Sequence, residues 1–183
     1  MSRNILVTGK NGQLGRSLKK AVNLFYNSPH QSPNNFEIIK DLNFIFVARD
    51  ELDLSNPQSI NLFFQNKKFN GIINCAAYTS VDNAESDVES VEQINYLSVD
   101  QIAKVAKNLE IPLIHISTDY VFNGHSFKPY LEKDKTDPLN IYGLTKLKAE
   151  KAIIESGCQG AIIRTSWLYS EFGNNFVKTM LVL

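Results

Sequence analysis

Cysteine is nearly absent: Cys75 and Cys158 are the only two in 183 residues. They show no Cys-x-x-Cys spacing and no His-rich neighbourhood, which argues against a disulfide scaffold or a zinc site and suits two reduced, packed thiols in a cytoplasmic protein. Charge of either sign is not in excess, Lys plus Arg equalling Asp plus Glu at 19 each. Without a basic surplus to neutralise a phosphate backbone, nucleic acid is not an expected partner. Long hydrophobic runs are missing too. The strongest, Phe44–Ala48, is far below the ~20 residues of a membrane span, so no membrane partner is expected. The opening MSRNILVTGK lacks the pattern of a secretory signal. Nine Gly and six Pro are too few for a collagenous or low-complexity chain. With 43% hydrophobic and 21% charged residues, the composition is that of a globular domain able to bury roughly 70% of its unfolded surface.

What is present is an alternation of short apolar runs with longer helical patterns. Strands are expected at 3–8, 42–48, 71–75, 112–117 and 161–164. Helices are expected at 13–26, from Pro57 to Phe64 with Asn56 as the cap, at 141–156, and as one or two segments over 86–109. Residues 27–35 read as a polar loop. Strands apolar on both faces, each followed by a helix, signal an α/β fold: a Rossmann-like, doubly wound parallel sheet with helices on both faces. Residues 1–170 are expected to form this dinucleotide-binding domain. Thr179–Leu183 breaks off inside an apolar helical pattern without a cap, so 171–183 reads as the start of a smaller substrate-binding region that is mostly absent.

The first strand runs into Thr8-Gly9-Lys10-Asn11-Gly12-Gln13-Leu14-Gly15. Gly9 permits a tight turn, Gly12 lets the backbone approach a diphosphate, and Gly15 allows close packing of helix on strand. Helix amides and the helix dipole then face the anion. After the second strand stand Arg49, Asp53 and Leu54. An Arg there accommodates a ribose 2′-phosphate, which favours NADPH over NADH, while Asp53 would accept from the adenine amino group.

Of the seven tyrosines, Tyr142 alone has a lysine four residues on, Lys146, on the same helical face. A neighbouring ammonium would lower the phenol pKa toward working pH and give a proton donor for a carbonyl receiving hydride. Thr118, at the end of the 112–117 strand, would hydrogen-bond the reacting oxygen, or else cap its own turn. His115, between Ile114 and Ile116, reads as a satisfied core histidine rather than a base.

Taken together, the glycine turn, Asn74-Cys75-Ala76-Ala77, Ser117-Thr118-Asp119-Tyr120-Val121-Phe122-Asn123-Gly124, Tyr142-x-x-x-Lys146 and Arg164-Thr165-Ser166-Trp167-Leu168-Tyr169 resemble the extended short-chain dehydrogenase/reductases. Within them the likeness is to the dTDP-4-dehydrorhamnose reductase family, over essentially the whole chain. The resemblance implies reduction of the C4 ketone of a dTDP-4-keto-6-deoxy sugar. Tyr142 would donate the proton, Lys146 would hold the nicotinamide ribose, and Thr118 would bind the oxygen. Asp119 and Trp167 would lie on the substrate side, although Trp167 also suits a core aromatic. Ala76, Ala77, Tyr78, Asn95 and Ile116 would complete the cofactor site. Members of the family are typically homodimers, and some carry Mg²⁺ at the subunit interface, but no carboxylate cluster here places that ion. Two alternatives share the fold: a nucleotide-sensing regulatory subunit resembling the β subunit of methionine adenosyltransferase, and another reductase or epimerase acting on a nucleotide sugar.

Overall fold

Strands β1 (Arg3–Thr8), β2 (Leu42–Phe46), β3 (Gly71–Asn74), β4 (Leu113–Thr118) and β5 (Gly160–Thr165) pair in parallel in the order β2-β1-β3-β4-β5. The computed structural model describes residues 2–27, 39–65 and 67–182. Most of the expected polar loop over 27–35, and the last residue, Leu183, lie outside them. The register places Thr8 opposite Asn74 and Asn74 opposite His115, one row across three strands.

Helix α1 (Gln13–Asn27) carries the chain from β1 outward to β2, and α2 (Pro57–Gln65) carries it back past β1 to β3. Crossovers between parallel strands are right-handed as a rule, so two that run in opposite directions place their helices on opposite faces of the sheet. The later crossovers, through α5 (Ser98–Asn108) and α6 (Ile141–Ser156), continue in the direction of α2 and share its face. There Leu6, Ile72 and Leu113 pack with Ile60 and Phe63 of α2, Val99 and Ile102 of α5, and Ile153 of α6. The doubly wound sheet is thus as expected. Its reversal point lies at the carboxyl ends of β1 and β3, where open α/β sheets bind ligands.

Local chemistry sets the element ends. The Asn56 side chain accepts from the Gln58 N–H at 2.9 Å, with Pro57 at the first helical position. Asn140 accepts from the Gly143 N–H at 2.7 Å and so fixes the start of α6 just before Tyr142. Strand β2 ends at Phe46, two residues short of expectation, because the chain turns at Ala48, whose carbonyl accepts from both Glu51 and Leu52 N–H. The stretch expected as one or two helices over 86–109 is α4 (Val88–Glu92), a π-helical turn (Gln93–Leu97) and α5 in succession. A short helix α3 (Val81–Ala84) precedes it. After β5 the chain folds back on α1: Gln13 donates to the Leu168 carbonyl at 2.8 Å and Asn175 to the Gln13 carboxamide at 3.1 Å. Helix α7 (Phe176–Val182) follows.

Candidate active site

Gly9 follows β1 with φ +74°, and the Gly12 N–H closes the turn on its carbonyl at 2.9 Å. Helix α1 begins at once, and a Cβ at Gly15 would stand 2.2 Å from the Gly9 oxygen. Only glycine lets the helix lie this close to the turn, as its position in the motif predicts. A cleft of about 680 Å³ opens over this turn and the carboxyl ends of β1, β3 and β4. It gathers Gly9, Asn11, Gly12, Gln13, Leu14, Arg49, Asp53, Leu54, Ala76, Ala77, Tyr78, Ile116, Tyr142 and Lys146.

Two expected cofactor residues do not line it. Gly15 sits behind the turn as a packing residue. Asn95 is buried in the π-helical turn, and its carboxamide grips the Tyr78 backbone at both groups, accepting from N–H at 2.8 Å and donating to C=O at 3.0 Å. Asn95 therefore shapes the wall of the cleft without facing it. π-Helical turns recur at functional sites because the extra residue redirects a side chain, here into the 76–79 loop.

At the β2 rim, the exposed Arg49 guanidinium donates from Nε to Asp53 Oδ1 at 3.2 Å and from Nη2 to Ser55 Oγ at 3.0 Å. The same Asp53 oxygen accepts from the Ser55 N–H and hydroxyl, and these bonds hold its carboxyl below the usual range. Asp53 thus organises its own turn, with Oδ1 already occupied. Glu51 accepts from the Ala48 N–H and from Lys10 of the glycine turn, which joins the two loops across the cleft mouth.

Tyr142 and Lys146 lie one turn apart on α6 and line the same cleft. The expectation that Lys146 lowers the phenol pKa does not hold in this geometry. Burial raises the Tyr142 pKa, a hydrogen bond with Thr118 pulls it partly back, and Asp119 and Tyr120 raise it further. The Lys146 ammonium instead donates to the Ile116 carbonyl at 2.6 Å and meets His115 Nε2 at 3.1 Å. Burial brings Lys146 down to about 8, against the opposing pull of Glu150 and Cys75. Of the two roles considered for Thr118, the structure shows the capping one: its hydroxyl accepts from the Tyr120 N–H at 3.2 Å at the turn Asp119–Val121 and donates to Asp119 Oδ1 at 3.1 Å.

Asp119 accepts from the Ser166 hydroxyl at 2.7 Å and ties that turn to the segment after β5. Trp167 is 71% exposed with φ +51°, its ring edge-on to Phe176 at 4.8 Å, so it is no core aromatic. Neither residue lines the cleft.

Two features go beyond the expected site: Cys75, read from sequence only as a packed thiol, and Glu150, which had not been singled out. Cys75 lines the cleft, and burial pushes its thiol up to about 12. Glu150, one turn beyond Lys146, is buried and bound by Arg164 and the Ser117 hydroxyl; its i+4 spacing from Lys146 was the available signal. Among the described residues, no group of three or more His, Cys, Asp or Glu side chains gathers to hold a metal, and no helix is long and apolar enough to cross a membrane.

Residues 3–183 match the RmlD substrate binding domain family. The chain is 43% identical to a dTDP-4-dehydrorhamnose reductase of Escherichia coli over 98% of its own length and 56% of that protein's. A dTDP-4-dehydrorhamnose reductase structure from Clostridium acetobutylicum superposes with TM-score 0.85 at 37% identity, covering 98% of this chain and 58% of that one. One from Bacillus anthracis in complex with NADP gives 0.85 at 34% identity, covering 100% and 59%. The chain therefore spans little more than half the length of the relatives it matches.

Proposed function

The chain belongs to the RmlD substrate binding domain family, and on that premise we propose that the protein reduces the C4 ketone of dTDP-4-dehydro-L-rhamnose to dTDP-L-rhamnose with a reduced nicotinamide dinucleotide. The observation that carries this reading is one cleft lined at one end by the glycine turn and at the other by Tyr142 and Lys146. The residues fit a dinucleotide. A Cβ at Gly12 would meet only the Gly9 oxygen within 4 Å, so the space where a side chain would stand is open cleft. The volume is also within the ~300–1,000 Å³ of small-molecule sites. The bound cofactor supplies hydride.

The chain's own residues supply the rest. Asn11, Gly12, Gln13 and Leu14 present the positive end of α1 to the diphosphate. The exposed Arg49 favours a 2′-phosphate, hence NADPH over NADH. A phenol whose pKa burial raises is fully protonated at neutral pH, so Tyr142 holds the proton that the substrate oxygen takes up. Thr118, at the end of β4, would bond the reacting oxygen, and the Lys146 ammonium favours negative charge developing beside it. Asp119 and Trp167 would meet the sugar nucleotide, with residues 171–183 opening the substrate region. The whole protein would act as a homodimer. A regulatory subunit would need none of Thr118, Tyr142 and Lys146 together, which favours chemistry. No step is assigned to Mg²⁺, because the described residues offer no ligand set.

The test is titration of the protein with NADPH and NADH, followed by reduced-nicotinamide oxidation with dTDP-4-dehydro-L-rhamnose. Tight NADPH binding supports the reading; binding of neither cofactor overturns it.

A further inference from the structure

His115 is fully buried in the row that runs from β1 to β4, and both of its ring nitrogens are engaged. Nε2 lies 3.1 Å from Lys146 Nζ, and Nδ1 lies 3.1 Å from Asn74 Nδ2. Asn74 Oδ1 accepts from the Thr8 hydroxyl at 2.6 Å, and Thr8 Oγ1 accepts from the Ala76 N–H at 3.2 Å. A continuous hydrogen-bonded chain thus joins Lys146 at one end of the cleft to the residue before Gly9 at the other. All four side chains are buried, so water does not compete for these bonds.

An imidazole in such a chain is directional. A charged ammonium only donates, so beside it Nε2 must hold the lone pair and Nδ1 the proton. The Asn74 carboxamide then turns its oxygen to His115 and its NH₂ to Thr8. A neutral amine can accept, which allows Nε2–H, a lone pair on Nδ1, and the arrangement in which Thr8 donates to Asn74. The two states differ by one proton at Lys146, one tautomer of His115 and a half-turn of Asn74.

We propose that His115 is a positioning residue for Lys146: it fixes the ammonium beneath the cleft and links its charge state to the direction of the Thr8–Asn74 hydrogen bonds at the glycine turn. Lys146 keeps three donors, of which the Ile116 carbonyl and His115 take two and leave one for the cleft. The charged and titratable groups facing it are Cys75 after β3, His115 on β4, and Tyr142 and Glu150 on its own helix, with Glu150 paired to Arg164 of β5. Burial and the nearby ammonium keep His115 well below the ordinary histidine range, so it acts as a neutral ring.

This inference rests on the reading of Lys146 as functional, but its test does not depend on turnover. Long-range ¹H–¹⁵N spectra of the ¹⁵N-histidine-labelled protein, with the His115 signal assigned by its loss in His115→Gln, report the tautomer directly. The expected result is a neutral Nδ1–H ring at about pH 6 that converts to Nε2–H as Lys146 loses its proton. An imidazolium at that pH, or one fixed tautomer across the Lys146 titration, overturns the proposal. A second measurement follows Lys146 through its ¹³Cε shift. His115→Leu removes an acceptor and should lower the Lys146 pKa by about one pH unit, whereas His115→Gln, whose amide reaches the Nε2 position, should restore it. Equal shifts in Leu and Gln overturn the proposal, and the tautomer result stands on the unsubstituted protein if either variant misfolds. A protein that shows this response yet oxidises no NADPH sinks the proposed function and leaves the positioning role intact.

Discussion

Glu150 and Arg164 form a two-point ion pair, Nε donating to Oε1 at 3.0 Å and Nη2 to Oε2 at 2.7 Å, directly behind Lys146 on α6. The Ser117 hydroxyl donates to the same carboxylate, so one acidic group pins α6 to both β4 and β5. Glu150 is buried but Arg164 is partly exposed, so solvent offsets part of the about 3–5 kcal/mol that a fully buried pair would lose with one partner. Glu150→Ala should therefore lower stability by about 1–3 kcal/mol in urea unfolding. Because Glu150 also raises the Lys146 pKa, the same variant should move the Lys146 titration downward.

Lys146 gives a stability signature in pH. Its folded pKa, about 8, lies below the ordinary 10.5, so between these values the unfolded chain binds more protons than the native one. Stability attributable to Lys146 should rise with pH across that window, by about 3 kcal/mol in all. Cys75, pushed from 9.0 to about 12, works in the opposite direction above pH 9, so the comparison belongs in a Cys75→Ala background. There, unfolding free energies of the protein minus those of Lys146→Met should increase from about pH 7 to pH 10. A flat difference would show that the native ammonium is not destabilised by its burial.

Tyr142→Phe keeps the ring and its edge-on contact with Tyr120 at 5.6 Å while deleting the phenolic hydroxyl. General acid groups contribute about 10²–10⁴-fold, and reduction should fall by that order with NADPH affinity unchanged. Full activity in the variant would exclude Tyr142 as the proton donor.

Asn95→Ala removes the carboxamide that satisfies both backbone groups of Tyr78. Unpaired buried groups cost about 1–3 kcal/mol. The 76–79 wall should loosen and NADPH binding should weaken about tenfold, measured by calorimetry, while Tyr142 chemistry at saturating cofactor is preserved.

These 183 residues should bind cofactor well and turn over slowly. The glycine turn, Tyr142 and Lys146 all line the cleft, whereas Trp167, a proposed substrate contact, stands 71% exposed. Equilibrium binding beside steady-state turnover decides this; turnover matching that of a full-length relative would show that the substrate site is already complete.

Much of this architecture was legible because it is local. The glycine spacing, the Asn56-Pro57 start and the Tyr142–Lys146 interval each encode a geometry that the chain adopts without distant help. Roles set by partners elsewhere in the chain were not legible. The family resemblance names Asn95 as a cofactor residue, whereas it acts by holding the Tyr78 backbone, seventeen residues away; Glu150 went unnamed because its partner, Arg164, stands on the neighbouring strand. The direction of the Lys146 side chain was also hidden. Spacing places it beside Tyr142, but the acceptors that claim its ammonium lie on β4, and which of them it meets depends on the row that Thr8, Asn74 and His115 form once the sheet has paired.

Because all five strands run the same way, the cleft and the residues lining it lie at the carboxyl rim of the sheet. Among the described residues, the opposite rim carries connections: residues 67–70 before β3, 109–112 before β4 and 157–159 before β5. Lys68 in the first of these is exposed. A fluorophore, an affinity handle or an inserted peptide placed at the amino ends of the strands would sit at the rim away from the glycine turn, which makes it the natural place to tether the protein for single-molecule or surface-immobilised work.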